Sequence, residues 1–364
     1  MHNYAVPDNN RSNRAGGGLG RHPARLVAHW KNISETGGKT NLQHPALGCQ
    51  VCPRLCNISP GKRGFCRVRE NRDGKLYATN YGECSSYGLD PMEKKPLYHF
   101  YPGSLIFSLG SVGCNLRCGF CQNWQIAHGN PATTYLSPER AVETAMRQKE
   151  RGYPCVGLAY TYNEPFMWYE YVYDTAMLAR EAGLKNVLVT NGYVNEEPLK
   201  EMLPYIDAMN IDVKAFTDEF YRSNCAGRLA PVLSTAEIAH RQCHVEITTL
   251  LVTGLNDGPE EVERLAGWLA GLDPEIPLHL SRYFPNYNMD LPPTPPDTLA
   301  RARETALQKL RYVYIGNAPE LRAANTRCPG CDKLLIDRRG YNALVGDISG
   351  GACPGCGERI AVVM

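Results

Sequence analysis

From Leu105 onward the chain alternates short β-branched or apolar runs with amphipathic stretches, and this rhythm limits the fold more than anything else in the sequence. The runs are LIFSLGSVG (105–113), CVGLAYTY (155–162), NVLVTNG (186–192), AMNIDVK (208–214), HVEITTLLVTG (244–254), LHLSRYF (278–284) and YVYIGN (312–317). Helical signals fall between them. Ser137 and Pro138 form an N-cap and first-turn proline ahead of Ala141, Val142, Ala145 and Met146. Pro259 precedes Val262, Leu265, Ala266 and Leu269, and a further face carries Leu299, Ala302, Ala306 and Leu310. Strands separated by helices pair in parallel, and six or seven such units curl into a closed or partly closed barrel. The expectation is an α/β chain with a partial (β/α)6-type parallel barrel over residues 101–320. An open doubly wound sheet is the alternative. In both architectures working residues lie just beyond the C-terminal ends of strands, which selects Cys114, Asn163, Glu164, Asn191, Asp212 and Lys214.

Outside the barrel the sequence changes character. Residues 1–44 mix Gly, Asn and Arg without period, with six Lys/Arg against two acids, and read as a disordered tail. Residues 45–100 and 321–364 each carry four clustered cysteines and read as separate small modules. A net charge of +2 argues against nucleic acid and anionic membrane as partners. No apolar run is long enough to span a bilayer, and the N-terminus has no apolar export signal. Fifteen cysteines, mostly in tight clusters, then point to metal ligation in a reducing cytoplasm rather than to disulfides. Cys84, Cys155, Cys225 and Cys243 fall outside the clusters and read as buried thiols.

Three cysteine groups remain. Cys328, Cys331, Cys353 and Cys356 form two C-P-G-C knuckles separated by 21 residues, the pattern of a zinc ribbon. Cys49, Cys52, Cys56 and Cys66 also complete a four-thiolate set, spaced for zinc or for a second iron–sulfur cluster, with zinc slightly favoured. Cys114, Cys118 and Cys121 stop at three, on a loop after the first barrel strand. Three thiolates can hold three irons of a 4Fe-4S cube and leave the fourth iron open to substrate, whereas electron-transfer clusters normally have four protein ligands. Zinc held by these three with His128 is the alternative.

The stretch GCNLRCGFCQNW, with C-x3-C-x-Φ-C spacing and Phe120 as Φ, resembles the signature of the radical S-adenosylmethionine (SAM) superfamily. Together with YGECSSYGLDPMEKKPLYHFYPGS, TYNEP, TNGY, NIDVKAF and YIGN it looks like the branch related to pyruvate formate-lyase activating enzyme. Within that branch the chain is most similar to the AmmeMemoRadiSam system radical SAM enzymes. The resemblance implies reductive cleavage of SAM at the cluster, giving a 5′-deoxyadenosyl radical that abstracts a hydrogen atom. It also implies a one-electron donor such as flavodoxin or ferredoxin. Phe120 would lie near the adenine, Asn163 and Glu164 near the methionine amino group, and Asn191 near the cofactor. Asp212 and Lys214 match a motif that helps hold SAM and the substrate backbone; an ion pair between them is the plainer reading. A protein or peptide substrate is the first expectation. A small molecule contacted by His279, Arg282 and Tyr283 is the second, with Arg282 otherwise a structural ion-pair partner. A non-catalytic metal-stabilised scaffold or RNA-binding protein is the alternative of another class. The chemistry needs no acid–base pair, and no convincing Ser-His-Asp or Cys-His arrangement stands out.

Overall fold

The computed structural model describes residues 24–32 and 46–364. Eight strands form the main sheet: β1 (Ser86–Pro91), β2 (Leu105–Gly110), β3 (Cys155–Tyr160), β4 (Lys185–Thr190), β5 (Ala208–Asp212), β6 (His244–Leu251), β7 (Leu278–Arg282) and β8 (Val313–Gly316). Each strand from β3 to β8 pairs in parallel with the one before it, while β1 lies antiparallel on the outer edge of β2. All seven expected runs are strands. A doubly wound sheet reverses its strand order partway across; here the order never reverses, which excludes that alternative. Right-handed crossovers in one direction put every helix on one face, so the other face becomes an interior. Among the described residues no ladder joins β8 back to β1 or β2, and the barrel is partial.

The longer helices are α1 (Pro138–Glu150), α2 (Tyr169–Glu181), α3 (Glu196–Met202), α4 (Asp218–Cys225), α5 (Ala230–His240), α6 (Pro259–Leu272) and α7 (Pro296–Leu307), and a single turn over Trp124–His128 follows the cysteine loop. The Ser137 side chain accepts from Arg140 N at the start of α1, which buries Ala141, Val142 and Ala145. Helix α6 buries Val262, Leu265, Ala266 and Leu269, the four residues its periodicity selects.

The N-terminal end of the barrel is closed by polar groups. Alternation along β6 turns Glu246 inward, where its carboxylate accepts from Tyr98 N at 2.9 Å and His99 N at 2.7 Å and meets His279 Nε2 at 2.6 Å. Below this floor sits a three-stranded antiparallel unit of Thr326–Arg327, Leu334–Arg339 and Asn342–Val345. Arg338 reaches from it to the Tyr98 carbonyl (2.6 Å), the Thr326 hydroxyl (2.8 Å) and the Ala324 carbonyl (3.1 Å). His99 Nδ1 donates to the Ala361 carbonyl at 2.6 Å.

Residues 24–32 correct the expectation for the N-terminal segment. Arg25–Leu26 pairs with Lys75–Ala78 and Trp30–Asn32 with Leu47–Cys49, so this part of 1–44 is strand rather than disordered tail. Edge pairing supplies the order that the local composition does not suggest. The rest of that stretch lies outside the described residues. No helix among the described residues is long and apolar enough to cross a membrane.

Candidate active site

The three-cysteine loop leaves β2 through Gly113, whose φ is +91° and whose absent Cβ would lie 2.7 Å from the Cys66 carbonyl oxygen. Only glycine meets both conditions. The loop is then clamped by main chain. Arg117 N donates to Cys225 O at 2.8 Å and Gly119 N to Asn224 O at 3.0 Å, so the loop caps carbonyls at the end of α4. Asn288 N closes on Gly119 O at 2.9 Å from the other side. Cys118 is buried, Cys114 and Cys121 half-buried. Burial pushes the Cys121 thiol up to about 11 and raises Cys114 further, with the Glu164 carboxylate adding to the latter. Thiols in such surroundings become thiolates when a cation shares the site.

Asn163 and Asn191 reach this loop, mostly as its supports, and Glu164 holds Asn191 from behind. Asn163 Oδ1 accepts from Ser111 N (2.9 Å) and its Nδ2 donates to Gly113 O (3.0 Å), bracketing the approach to Cys114. Glu164 is buried and accepts from Thr190 Oγ1 at 2.7 Å, Asn191 N at 2.8 Å and Phe166 N at 3.1 Å. Burial holds its carboxyl up at about 7 against those donors. Asn191 Nδ2 donates to Asn115 Oδ1 at 3.0 Å and lies 3.6 Å from Cys114 Sγ, so it is the member of the trio that touches a cysteine sulfur.

Asp212 and Lys214 form an ion pair of 3.0 Å at the end of β5, the plainer of their two readings. Burial opposes the Lys214 charge, but Asp212 and the Cys118 thiol outweigh it and hold the ammonium well above its ordinary value. Phe120 is buried with its ring 5.9 Å from Phe220 of α4. Sequence reasoning missed Cys225, which the fold carries to the Cys118 thiol; their hydrogen bond, then burial, push Cys118 well up. Nothing local marks that contact, because α4 is about a hundred residues further along the chain.

Among the described residues, one set of three or more potential metal ligands has all its donor atoms within 4.8 Å: Cys328, Cys331, Cys353 and Cys356. Cys328 Sγ is 3.5 Å from Cys356 Sγ, and Cys331 Sγ is 3.6 Å from Cys353 Sγ. The thiols of the central loop are set wider, and His128 does not gather with them as a zinc ligand. Burial pushes His128 down to about 4, and neither ring nitrogen has a hydrogen-bond partner.

The polar residues of β7 are occupied elsewhere. His279 is tied to Glu246 at the barrel floor, away from the cysteine loop. Arg282 pairs with Glu320 at 3.0 Å and donates to Thr294 O at 2.8 Å, while the buried Tyr283 donates to Met289 O at 2.9 Å. Arg282 is thus the structural ion-pair partner that its sequence context also allowed. The front module meets the opposite end of the barrel. Arg54 Nε donates to Asn115 O at 2.9 Å, Arg117 to Phe65 O at 2.6 Å, and Asn195 Nδ2 to Gln50 O at 2.6 Å. The cysteine modules thus sit at opposite ends, one beside the loop and the other under the floor.

Known proteins resemble this chain as follows. The family model described as the Radical SAM superfamily matches residues 109–269. An uncharacterized protein of Methanocaldococcus jannaschii is 46% identical over 332 residues, covering 89% of this chain and 97% of that protein. The pyruvate formate-lyase-activating enzyme of Clostridium pasteurianum is 26% identical over 161 residues, covering 42% of this chain and 65% of that enzyme. A solved domain of pyruvate-formate lyase-activating enzyme from Bacteroides vulgatus aligns with a TM-score of 0.39 at 19% identity, over 44% of this chain and 98% of that one. Streptococcus suis SuiB bound to precursor peptide SuiA aligns at 0.49 and 14% identity, over 63% and 53%.

Proposed function

The chain belongs to the radical SAM superfamily, in the neighbourhood of pyruvate formate-lyase activating enzyme, and from that premise we propose that Cys114, Cys118 and Cys121 hold a 4Fe-4S cluster whose open iron takes SAM. The donor set fits: three thiols on one loop, set wider than a single ion needs, with Asn191 and Lys214 as neighbouring donors. When bound, cluster and SAM supply one-electron reductive cleavage and hydrogen-atom abstraction. The chain's own residues orient and enclose. Asn163 brackets the loop, Glu164 fixes the Asn191 backbone, and Asn191 donates toward the Cys114 sulfur. Asp212 and Lys214 present a carboxylate and an ammonium that would align the charged ends of the methionine moiety. Phe120 would bound the adenine side.

The observation that carries this reading is the placement of the three-thiol loop beside the Asp212–Lys214 pair at the C-terminal ends of the strands. A protein or peptide is the proposed hydrogen donor. Exposed aromatics support it: Trp124 follows the loop and stacks on Tyr287 at 5.2 Å, offering a rim for an extended chain. A flavodoxin or ferredoxin would supply the electron, and an oxygen-sensitive site of this kind suits the cytoplasm. Zinc is proposed for the C-terminal four, since tetrahedral Zn–S bonds of about 2.3 Å put sulfurs roughly 3.8 Å apart. Membership of an enzyme superfamily sets aside the non-catalytic scaffold and RNA-binding reading.

The test is anaerobic reconstitution followed by SAM turnover. Dithionite-dependent 5′-deoxyadenosine release, abolished in Cys118→Ala, is expected. Deuterium should pass from a labelled protein substrate into 5′-deoxyadenosine. A reconstituted chain that binds no iron at the loop and leaves SAM intact would refute the proposal.

A further inference from the structure

The front module contains a second site that superfamily membership does not account for. Cys49, Cys52, Cys56 and Cys66 line one small gap, together with Val51, Arg54 and Arg69. Cys49, Cys52 and Cys66 are buried and Cys56 is half-buried. Two observations separate this site from the C-terminal one. First, no three of its thiols lie mutually within 4.8 Å, whereas all four C-terminal thiols do. The C-terminal set has the dimensions of one tetrahedral ion; the front thiols are spread wider than that, in the sense that a cube with one iron per thiolate requires. Second, Arg69 is 1% exposed, and although Glu170 lies 3.0 Å away, none of its Nε, Nη1 and Nη2 donors makes a hydrogen bond. A buried guanidinium beside four thiols needs acceptors, and a cluster's thiolates and sulfides supply several.

We propose that Cys49, Cys52, Cys56 and Cys66 hold a second, fully protein-ligated iron–sulfur cluster whose sulfur atoms accept from Arg69. The site adjoins the three-cysteine loop. Asn115, which follows Cys114, lines the same gap, and Gly113 packs against the Cys66 carbonyl. The second cluster would therefore pass single electrons from a low-potential donor protein to the open cluster, with no bond made or broken. That role, unlike the metal assignment, rests on the function proposed above.

The full chain with Cys114, Cys118 and Cys121 all changed to Ala tests the assignment independently of SAM chemistry. After anaerobic reconstitution with iron and sulfide it should retain about four irons and equal labile sulfide. Dithionite should give it an electron paramagnetic resonance signal that SAM does not alter. The unsubstituted chain should hold about eight irons, and its two reduced clusters should broaden each other's signals. Cys56→Ser, with the C-terminal metal content as its folding control, should lose the SAM-insensitive signal and keep the SAM-sensitive one. Arg69→Met should move the potential of the SAM-insensitive signal downward, because a positive charge that favours the reduced state is gone; an unchanged potential overturns the Arg69 contact. Zinc without iron at the front site of the triple variant overturns the cluster. Two iron signals without mutual broadening overturn the electron-passing role alone.

Discussion

Asn163→Ala distinguishes a residue that supports the cysteine loop from one that binds cofactor. The side chain makes two bonds, from Ser111 N at 2.9 Å and to Gly113 O at 3.0 Å, and both main-chain partners are buried. Asn163 itself is half-buried, so about 1 kcal/mol per bond is the appropriate scale, roughly 2 kcal/mol in all. At 1.4 kcal/mol per decade, local opening around the loop should become about 30-fold more frequent. The assay is amide hydrogen exchange across 105–121 in the reconstituted protein, where the Ser111 amide reports the first bond directly. Asn163→Asp keeps the acceptor for Ser111 N and loses the donor to Gly113 O, so it should fall between wild type and Asn163→Ala. Iron should be lost faster from the alanine variant on exposure to chelator. Unchanged exchange at Ser111 together with weakened SAM binding would refute this reasoning and return Asn163 to the cofactor.

The other predictions concern separate parts of the molecule. Asp212→Asn and Lys214→Met should each weaken SAM binding by about 10- to 100-fold, the scale of one charge-assisted bond, with iron content unchanged; equilibrium binding of SAM to the reconstituted protein checks this. Arg338→Met strands the buried Glu93, 3.6 Å away and already pushed up by burial, and should cost about 3–5 kcal/mol, seen as early proteolysis of 326–364. Burial lowers His99 from 6.5 to about 4, with Glu246 opposing and Arg338 and His244 adding to the fall. The unfolded chain therefore binds the extra proton first, and stability should drop by up to about 3 kcal/mol as pH falls from 6.5 to 4. Urea midpoints across that window should be flatter in His99→Gln.

The barrel strands were legible because parallel strands buried on both faces read as apolar runs, and the helix starts because Ser137-Pro138 and Pro259 are local signals. Strand β1 was not, since SYGLDP carries glycine, aspartate and proline and depends on the β2 edge for its order. The strand-end positions were legible and so was the Asp212–Lys214 ion pair, but the partners of Asn163 and Glu164 were not. Asn163 and Glu164 have polar ends that suit a cofactor or the main chain equally well, and only the fold shows that the main chain takes most of them. Cys225 and the Glu246 floor were invisible for a related reason. Each is assembled from elements far apart in sequence, so no window contains the pattern.

The clamp between the cysteine loop and α4 uses only main-chain atoms: the amides of Arg117 and Gly119 and the carbonyls of Cys225 and Asn224. Side-chain identity at 117 and 224 therefore says little about whether the clamp exists. Position 117 carries a second duty, since the Arg117 side chain donates to Cys114 O at 2.9 Å and Phe65 O at 2.6 Å, whereas Asn224→Ala, at a half-buried position, should leave the clamp intact. The vulnerable point is the backbone itself. Ala226 ends the helix with φ +51°, so a β-branched residue there would disturb the cysteines without touching any of them.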